Sequence, residues 1–174
     1  MPIKTIALSA GYLAIVDACD FDRLNRHKWS AVEARPGLVY AMRHRMTAGG
    51  RIEAIFMHRE VLGLEPGDGL NADHKNRIGT DNRRVNLREA TPLQNQMNRP
   101  RNRNCKSGFK GVTYNATLAV DRRWVSKLSI GGVQVVLGNF ADPIAAAVCY
   151  DKAAYANYGG FAYLNFPIEL PTAA

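Results

Sequence analysis

A strongly basic segment without hydrophobic periodicity interrupts the chain between Arg99 and Ser107. It reads RPRNRNCKS, and its proline disfavours both a continuous helix and a central strand. Such a segment has no apolar face to bury, so we interpret it as a linker between two modules. We therefore predict an N-terminal module over residues 1–98, a basic linker over 99–107, a C-terminal module over 108–167 and a tail over 168–174.

Residues 3–57 alternate short apolar stretches with glycine and polar breaks, a pattern typical of strands and hairpins. We interpret them as a β-strand scaffold for the rest of the N-terminal module. A brief helical pattern runs from Met57 to Leu62 and stops at Gly63, because glycine commonly ends helices.

The next segment predicts a strand, a second strand and a helix. Asp73 and His74 follow a short apolar stretch, and a second strand is predicted from Val85 to Ala90. The sequence Thr91-Pro-Leu-Gln94 is a capping box with proline at the first helical position. Asn95 therefore falls in the first turns of the helix.

The C-terminal module predicts a three-stranded antiparallel sheet with one packed helix. Gly131-Gly132 is typical of a two-residue hairpin turn, and Asp142-Pro143 of a helix start. The helix is expected to end at Gly159-Gly160. The strands are predicted at Phe109 to Tyr114, Trp124 to Ile130 and Val133 to Phe140. The fold class of the whole chain is therefore predicted to be α+β.

Charge predicts a polyanionic partner. The chain has 23 Lys and Arg against 15 Asp and Glu, a net charge of +8. Between Lys75 and Lys110 there are 10 basic and 2 acidic residues, interleaved with 7 asparagines. A solvated loop, a membrane surface or a ribosome would also suit charge alone. Guanidinium and amide groups together favour phosphates and base edges, so we predict double-stranded DNA as the partner.

The sequence predicts a cytoplasmic protein with no membrane partner. No apolar run approaches the roughly 20 residues needed to span a bilayer, and the N-terminus lacks a signal pattern. The cysteines Cys19, Cys105 and Cys149 are far apart and never form CxxC, so no zinc site is expected.

The strand-strand-helix segment carries candidate catalytic chemistry. Oxygen atoms of Asp73 and Asn95 can converge on one hard cation, for which Mg²⁺ is the natural candidate and Mn²⁺ the alternative. His74 can take a proton from water that attacks a phosphodiester. Asn86 can orient the His74 imidazole.

Four sequence motifs resemble HNH endonucleases of the phage homing type, over roughly residues 57–98. They are His58-Arg59, Asp73-His74, Asn86-Leu87-Arg88 and Gln94-Asn95. The resemblance implies a ββα-metal module in which His74 is the general base, Asn86 positions it, and Asp73 and Asn95 bind the metal. It also implies a bacterial or phage setting and a role in homing. Many relatives hold zinc through paired CxxC motifs that this chain lacks, so its fold must rest on packing.

The C-terminal module resembles the AP2 DNA-binding domain over roughly residues 108–167, which implies a three-stranded sheet lying in the major groove. The arginines usual on the first two strands of plant AP2 domains are replaced by Thr113, Tyr114 and Ser129, so the usual GC-rich target is not carried over. The matching motifs are Gly111-Val112, Trp124-Val125, Leu137-Gly138-Asn139-Phe140, Ala145-Ala146, Tyr150-Asp151 and Leu164-Asn165-Phe166-Pro167.

The predicted DNA contacts are basic residues of the first module and the linker, and basic or aromatic residues of the second module. They are Arg83, Arg84, Arg88, Arg99, Arg101, Arg103, Lys106, Lys110, Tyr114, Arg122, Arg123 and Lys127.

Taken together, these features predict a metal-dependent DNA endonuclease that hydrolyses phosphodiesters at sites selected by its C-terminal module. One alternative is a non-catalytic regulator that binds DNA through residues 108–167, and another is an RNA-associated or ribosome-bound basic protein. The combination of Asp73, His74 and Asn95 favours the enzyme, because a site without catalysis does not need all three.

Overall fold

The computed structural model describes residues 2–102 and 104–167. The predicted contact Arg103 and the predicted tail over 168–174 lie outside the described residues. The chain forms two compact units that divide between Asn95 and Gln96. Both units mix helices with small antiparallel sheets, which confirms the α+β class.

The described residues of the first unit form seven strands in three antiparallel sheets. In chain order, the sheets join the first two strands, the next three and the last two. The strands are β1 (Ile3–Ala7), β2 (Leu13–Asp17), β3 (Ser30–Arg35), β4 (Leu38–Met46), β5 (Ile52–Phe56), β6 (Asn71–His74) and β7 (Leu87–Ala90). The helices that begin in this unit are α1 (Ala18–Leu24), α2 (Met57–Leu62) and α3 (Pro92–Met97), with a 3-10 turn at Ser9–Gly11.

One hydrophobic core joins the N-terminal scaffold to the later hairpin. Ala14 and Val16 alternate inward along β2, and they lie in the same buried cluster as Met57 of α2 and Leu87 of β7. Burial of these side chains is the main stabilising contribution to the unit. The scaffold and the β6-β7 hairpin therefore fold as one body.

Helix α1 corrects the interpretation of residues 3–57 as strands alone. Ala18–Leu24 is helical, with Phe21 and Leu24 packed on the core and an ion pair of 2.8 Å between Arg23 and Asp20. The Trp29 indole donates to the Leu24 carbonyl at 2.9 Å and satisfies an end of the helix. A helix of 7 residues with two apolar anchors gives little periodic signal, because tertiary packing stabilises it.

The strand-strand-helix prediction is confirmed for β6, β7 and α3. The Thr91 amide donates to Gln94 Oε1 at 2.8 Å, and the Gln94 amide donates to Thr91 Oγ1 at 3.2 Å, as a capping box requires. Strand β7 begins at Leu87 and not at Val85, because the amide of Asn86 turns back to the Arg83 carbonyl at 2.9 Å. Helix α2 ends at Gly63, which has a φ of 73°.

Where the structure describes it, the second unit has a three-stranded antiparallel sheet with one long helix, as predicted. Its sheet order is β10-β9-β8, and Gly131 and Gly132 have φ values of 59° and 84° in the turn between β9 and β10. Asp142 Oδ2 accepts from the Ala145 amide at 2.8 Å and caps the helix. The elements are β8 (Val112–Tyr114), β9 (Trp124–Ile130), β10 (Val133–Phe140) and α4 (Pro143–Tyr158), with 3-10 turns at Val120–Arg122 and Gly159–Phe161.

Helix α4 lies close to its sheet because it presents alanines there. Ala146, Ala147 and Ala154 are fully buried, with Tyr150 between them against Leu128 of β9. The predicted first strand starts only at Val112, since Gly111 before it has a φ of 76° that a strand does not adopt.

A buried carboxylate fixes the segment that comes after α4. Asp151 accepts from the amides of Asn165 and Phe166 at 2.9 and 2.8 Å. Asn165 Oδ1 in turn accepts from the Lys110 amide at 2.6 Å. These hydrogen bonds hold residues of the second unit that belong to no helix or strand.

The described residues of the linker, 99–102 and 104–107, contain neither helix nor strand. Within the described ranges, no helix combines the length and apolar character needed to cross a membrane.

Candidate active site and nucleic-acid interface

The antiparallel β6-β7 hairpin places Asp73 and His74 at the end of β6. Asp73 pairs with Arg88 across the hairpin, and His74 pairs with Leu87. Both acidic and imidazole side chains are buried, with 5% and 4% of their surface exposed. The two candidate catalytic residues are therefore held by a strand and not by a mobile loop.

Arg88 neutralises the Asp73 carboxylate. Its Nε and Nη2 atoms lie 2.8 and 2.7 Å from Asp73 Oδ2. Arg88 is also one of the predicted DNA contacts, so a phosphate would have to compete with this carboxylate for the guanidinium.

His74 is held by an asparagine that no sequence motif singles out. Its Nε2 lies 3.2 Å from Oδ1 of the buried Asn82. Burial lowers the pKa of His74 below its ordinary value, while the Asn82 hydrogen bond and the carboxylates of Asp73 and Asp81 act in the opposite direction. A neutral imidazole is the form that can accept a proton.

The side-chain amide of Asn86, the predicted orienting residue, forms hydrogen bonds with the backbone of the loop between β6 and β7. Its Nδ2 donates to the Asp81 carbonyl at 2.7 Å, and its Oδ1 accepts from the Asn76 amide at 3.0 Å. The Asn86 carbonyl also accepts from the Lys75 amide at 2.9 Å. These contacts close the loop over residues 75–86.

Strand β2 also forms hydrogen bonds with this loop. The Ile15 amide donates to the Thr80 carbonyl at 2.8 Å, and the Asn82 amide donates to the Ile15 carbonyl at 2.8 Å. The Arg84 amide donates to Asp17 Oδ2 at 2.7 Å. The N-terminal scaffold thus determines the path of the loop that carries Asn82.

Two further predicted DNA contacts also have carboxylate partners in the first unit. Arg83 binds Asp81 through Nε and Nη2, both at 2.7 Å. Arg84 binds Asp20 of α1 through the same two atoms at 2.7 and 2.8 Å. Arg83 therefore binds within the loop, and Arg84 links the loop to α1.

His58 belongs to an aromatic cluster beside His74. Its ring centroid lies 5.0 Å from that of His74, and Tyr40 lies 5.3 and 5.7 Å from the two histidines. Burial, followed by the nearby His74 and Arg59, lowers the pKa of His58 to about 3. Its Nδ1 is buried without a hydrogen-bond partner among the described residues.

We expect the first unit to lose stability in acid because of His58. The folded-state pKa is about 3 and the ordinary value is 6.5, so the unfolded chain takes up a proton between these values. The free energy of unfolding should fall as the pH drops below 6.5, by up to about 1.4 kcal/mol per pH unit. The groups facing His58 are His74, Arg59, Tyr40 and Phe56.

Urea unfolding of His58→Phe at several pH values measures this contribution. The variant should show a smaller pH slope, although His74 keeps its own part because burial lowers its pKa too. His44→Phe is the matched control, since His44 is exposed on β4. An unchanged slope in His58→Phe would contradict the prediction.

Asn95 lies half-buried on α3, on the wall of a pocket of about 320 Å³ in the first unit. His58 of α2 and Asn71 of β6 line the same pocket. Among the described residues, no group of three or more His, Cys, Asp or Glu side chains could hold a metal. Asp73 and Asn95 contribute one carboxylate and one amide, so they do not form such a group.

The second unit presents a basic concave surface, which we call the basic cleft. It has a volume of about 570 Å³, and the described residues that line it include no Asp or Glu. Lys127 of β9 and residues of the linker line it. Its basic lining residues are Arg99, Arg101, Lys110 and Lys127.

Some predicted DNA contacts of the second unit are exposed, whereas others have internal partners. Lys110 donates from Nζ to the carbonyls of Met97 and Arg99, both at 2.7 Å. Arg123 donates from Nε to the Leu118 carbonyl at 3.1 Å. The exposed side chains are those of Arg99, Arg101, Lys106, Tyr114 and Arg122.

Tyr114 and Trp124 pack edge to face on the sheet of the second unit. Their ring centroids lie 5.0 Å apart. Trp124, which is partly buried, also packs against the core cluster formed by Val112, Ala146 and Ala147. Tyr114, half of whose surface is exposed, is the partner of the pair that remains accessible.

No protein-family model and no solved structure matches the chain at a significant level.

Proposed function

We propose that this protein is a metal-dependent DNA endonuclease of the HNH type, whose second unit binds the DNA. The observation that carries the proposal is the buried Asp73-His74 pair at the end of β6, within the β6-β7-α3 arrangement. In this proposal β6, β7 and α3 form the ββα-metal module, and β1 to β5 form its scaffold.

His74 is the proposed general base. Its imidazole is neutral near neutral pH, because burial lowers its pKa, and one ring nitrogen is already engaged by Asn82. The other ring nitrogen then accepts the proton of the water that attacks the phosphorus atom. The strand and the hydrogen bond hold the ring in one orientation, which lowers the entropic cost of the reaction.

The donor chemistry of Asp73 and Asn95 fits a hard divalent cation. A carboxylate oxygen and an amide oxygen are ligands that Mg²⁺ accepts, and Mn²⁺ is the alternative. When bound, the cation stabilises negative charge on the phosphate and on the leaving oxygen. Since Arg88 already neutralises Asp73, the protein alone attracts a cation weakly, and DNA phosphates are expected to complete the site.

DNA binding is proposed for the second unit, on its AP2-like sheet and in the basic cleft. Arg99, Arg101 and Lys127 bring positive charge to a surface without carboxylates among its described lining residues. Such a surface binds phosphates with little dependence on sequence. Tyr114 on the sheet is the proposed contact to bases, since aromatic side chains can pack against a thymine methyl group or a sugar.

A regulator that binds DNA without cutting it remains the second candidate, because Arg83, Arg84 and Arg88 have carboxylate partners and DNA binding then rests on the second unit. The proposed role in homing, in a bacterial or phage setting, rests on the sequence resemblance alone.

We expect the purified protein to nick or linearise supercoiled plasmid when Mg²⁺ is present. A chelator should abolish cleavage, and excess Mg²⁺ or Mn²⁺ should restore it, because the proposed site needs a divalent cation. Agarose-gel analysis separates nicked from linear product, and a parallel gel-shift measurement reports DNA binding. Binding without cleavage under either metal would contradict the nuclease and favour the regulator.

A further inference from the structure

We propose that Asn82 is the positioning residue for His74, and that it selects the imidazole tautomer whose proton-accepting atom is Nδ1. This inference rests on the proposed function, because it names the atom through which the general base acts. The observation behind it is the hydrogen bond of 3.2 Å between His74 Nε2 and Asn82 Oδ1.

The direction of this hydrogen bond is determined by the chemistry of its two atoms. An amide oxygen only accepts, so His74 Nε2 must carry the hydrogen. In a neutral imidazole the lone pair is then on Nδ1. The tautomer is therefore determined by which atom of Asn82 faces the ring.

The orientation of the Asn82 amide is fixed by its other contacts. Its Nδ2 donates to the Thr80 carbonyl at 3.3 Å and to the Met57 sulfur at 3.4 Å. A flipped amide would place Oδ1 against the Thr80 carbonyl oxygen, and two acceptors repel. Oδ1 therefore has to face His74.

Asn82 is itself immobilised. Only 1% of its surface is exposed, and its backbone amide donates to the Ile15 carbonyl of β2 at 2.8 Å. The neighbouring Thr80 carbonyl, which receives the Asn82 side chain, also accepts from the Ile15 amide at 2.8 Å. A rigid acceptor imposes one ring orientation, whereas a mobile acceptor would not.

Asn82 and Asn86 consequently have different tasks. Both described hydrogen bonds of the Asn86 side chain go to the backbone of the loop over residues 75–86. Asn82 extends from the same loop to the imidazole. Loss of Asn86 should loosen the loop, whereas loss of Asn82 should release the ring.

The experiment compares wild type with Asn82→Leu, which keeps the branched shape of the side chain and removes the acceptor. Long-range proton–nitrogen NMR spectra of the imidazole report which ring nitrogen of His74 carries the hydrogen. We expect hydrogen on Nε2 in wild type and a loss of that preference in Asn82→Leu. Plasmid cleavage should fall by about 10- to 100-fold, the range typical of residues that orient a catalytic group, with DNA affinity unchanged.

Two further variants separate positioning from folding. Asn86→Leu, on the same loop, leaves the Asn82 acceptor in place, so it should weaken the preference for hydrogen on Nε2 of His74 less than Asn82→Leu does. Asn82→Ala also removes the acceptor and should likewise lose the preference for Nε2, so it serves if the leucine variant does not fold. A backbone NMR fingerprint establishes the fold of each variant.

Hydrogen on Nδ1 in wild type would overturn the inference, as would wild-type cleavage by an Asn82→Leu protein that has lost the tautomer. Either result leaves the nuclease itself intact. A wild-type protein that binds DNA and does not cut it would overturn the nuclease and the assignment of a base, although the NMR spectra would still report the tautomer.

Discussion

His74→Ala is expected to lower the rate of DNA cleavage by about 10²- to 10⁴-fold, the usual contribution of a general base. DNA affinity should stay within about twofold, because His74 is buried in the first unit while the basic cleft lies in the second. Plasmid nicking at saturating Mg²⁺ and fluorescence anisotropy of a labelled duplex measure the two quantities separately.

The control for this variant is His44→Ala, which removes an exposed imidazole from β4. It should cut DNA at the wild-type rate. Since His74 is buried, thermal unfolding must show that the alanine variant is folded, and added imidazole offers a chemical replacement for the missing ring. Equal cleavage by His74→Ala and wild type would rule out His74 as the base.

Gly111→Ala is expected to destabilise the second unit by about 3 kcal/mol or more. A methyl group on Gly111 would lie 2.0 and 2.3 Å from two ring carbons of Tyr150 and 2.8 Å from the Lys127 carbonyl oxygen. Tyr150 cannot move aside easily, because it is buried against Leu128 and Ala154. Gly111 also has a φ of 76°, which a residue with a Cβ atom adopts at a cost.

Gly108→Ala is a matched control for that prediction. Gly108 has a φ of 77°, and an added Cβ would meet no atom within 4 Å. It should therefore show only the conformational cost of about 1 kcal/mol. Urea unfolding followed by tryptophan fluorescence measures both variants, and the difference between them reports the clash with Tyr150. Equal losses of stability would contradict the close approach of Gly111 to this ring.

Elements with a strong local signal could be predicted from the sequence. The bounds of β9 and β10 agree with the prediction, since a Gly-Gly turn separates two apolar strands. The start of α4 agrees because Asp142 and Pro143 specify it locally. Helix α1 was missed because its stability comes from contacts with distant residues, among them the bond from Arg84 to Asp20.

The same distinction applies to the candidate site. The positions of Asp73 and His74 at a strand end, and of Asn95 after a capping box, depend on local patterns that are visible in the sequence. The choice between Asn82 and Asn86 is not local. It depends on the path of the loop over residues 75–86, and that path is determined by Ile15, which is distant in the sequence.

The arginines show the limit of an argument from charge. Arg83, Arg84 and Arg88 form part of the basic run, yet each binds a carboxylate of the first unit. Asp20, the partner of Arg84, lies on the helix that was missed. Composition counts the charges of a segment, whereas only the fold shows which of them are already neutralised.

Because β2 forms hydrogen bonds with the loop over residues 75–86, the site cannot be transferred to another protein without this strand. A fragment that begins at Met57 would retain each motif residue, but it would lack the strand on which Asn82 rests. It would also lack Ala14 and Val16 of the shared core. Recombination that exchanged only the motif-bearing segment would transfer its side chains without the strand that arranges them, so the smallest transferable segment must include β2.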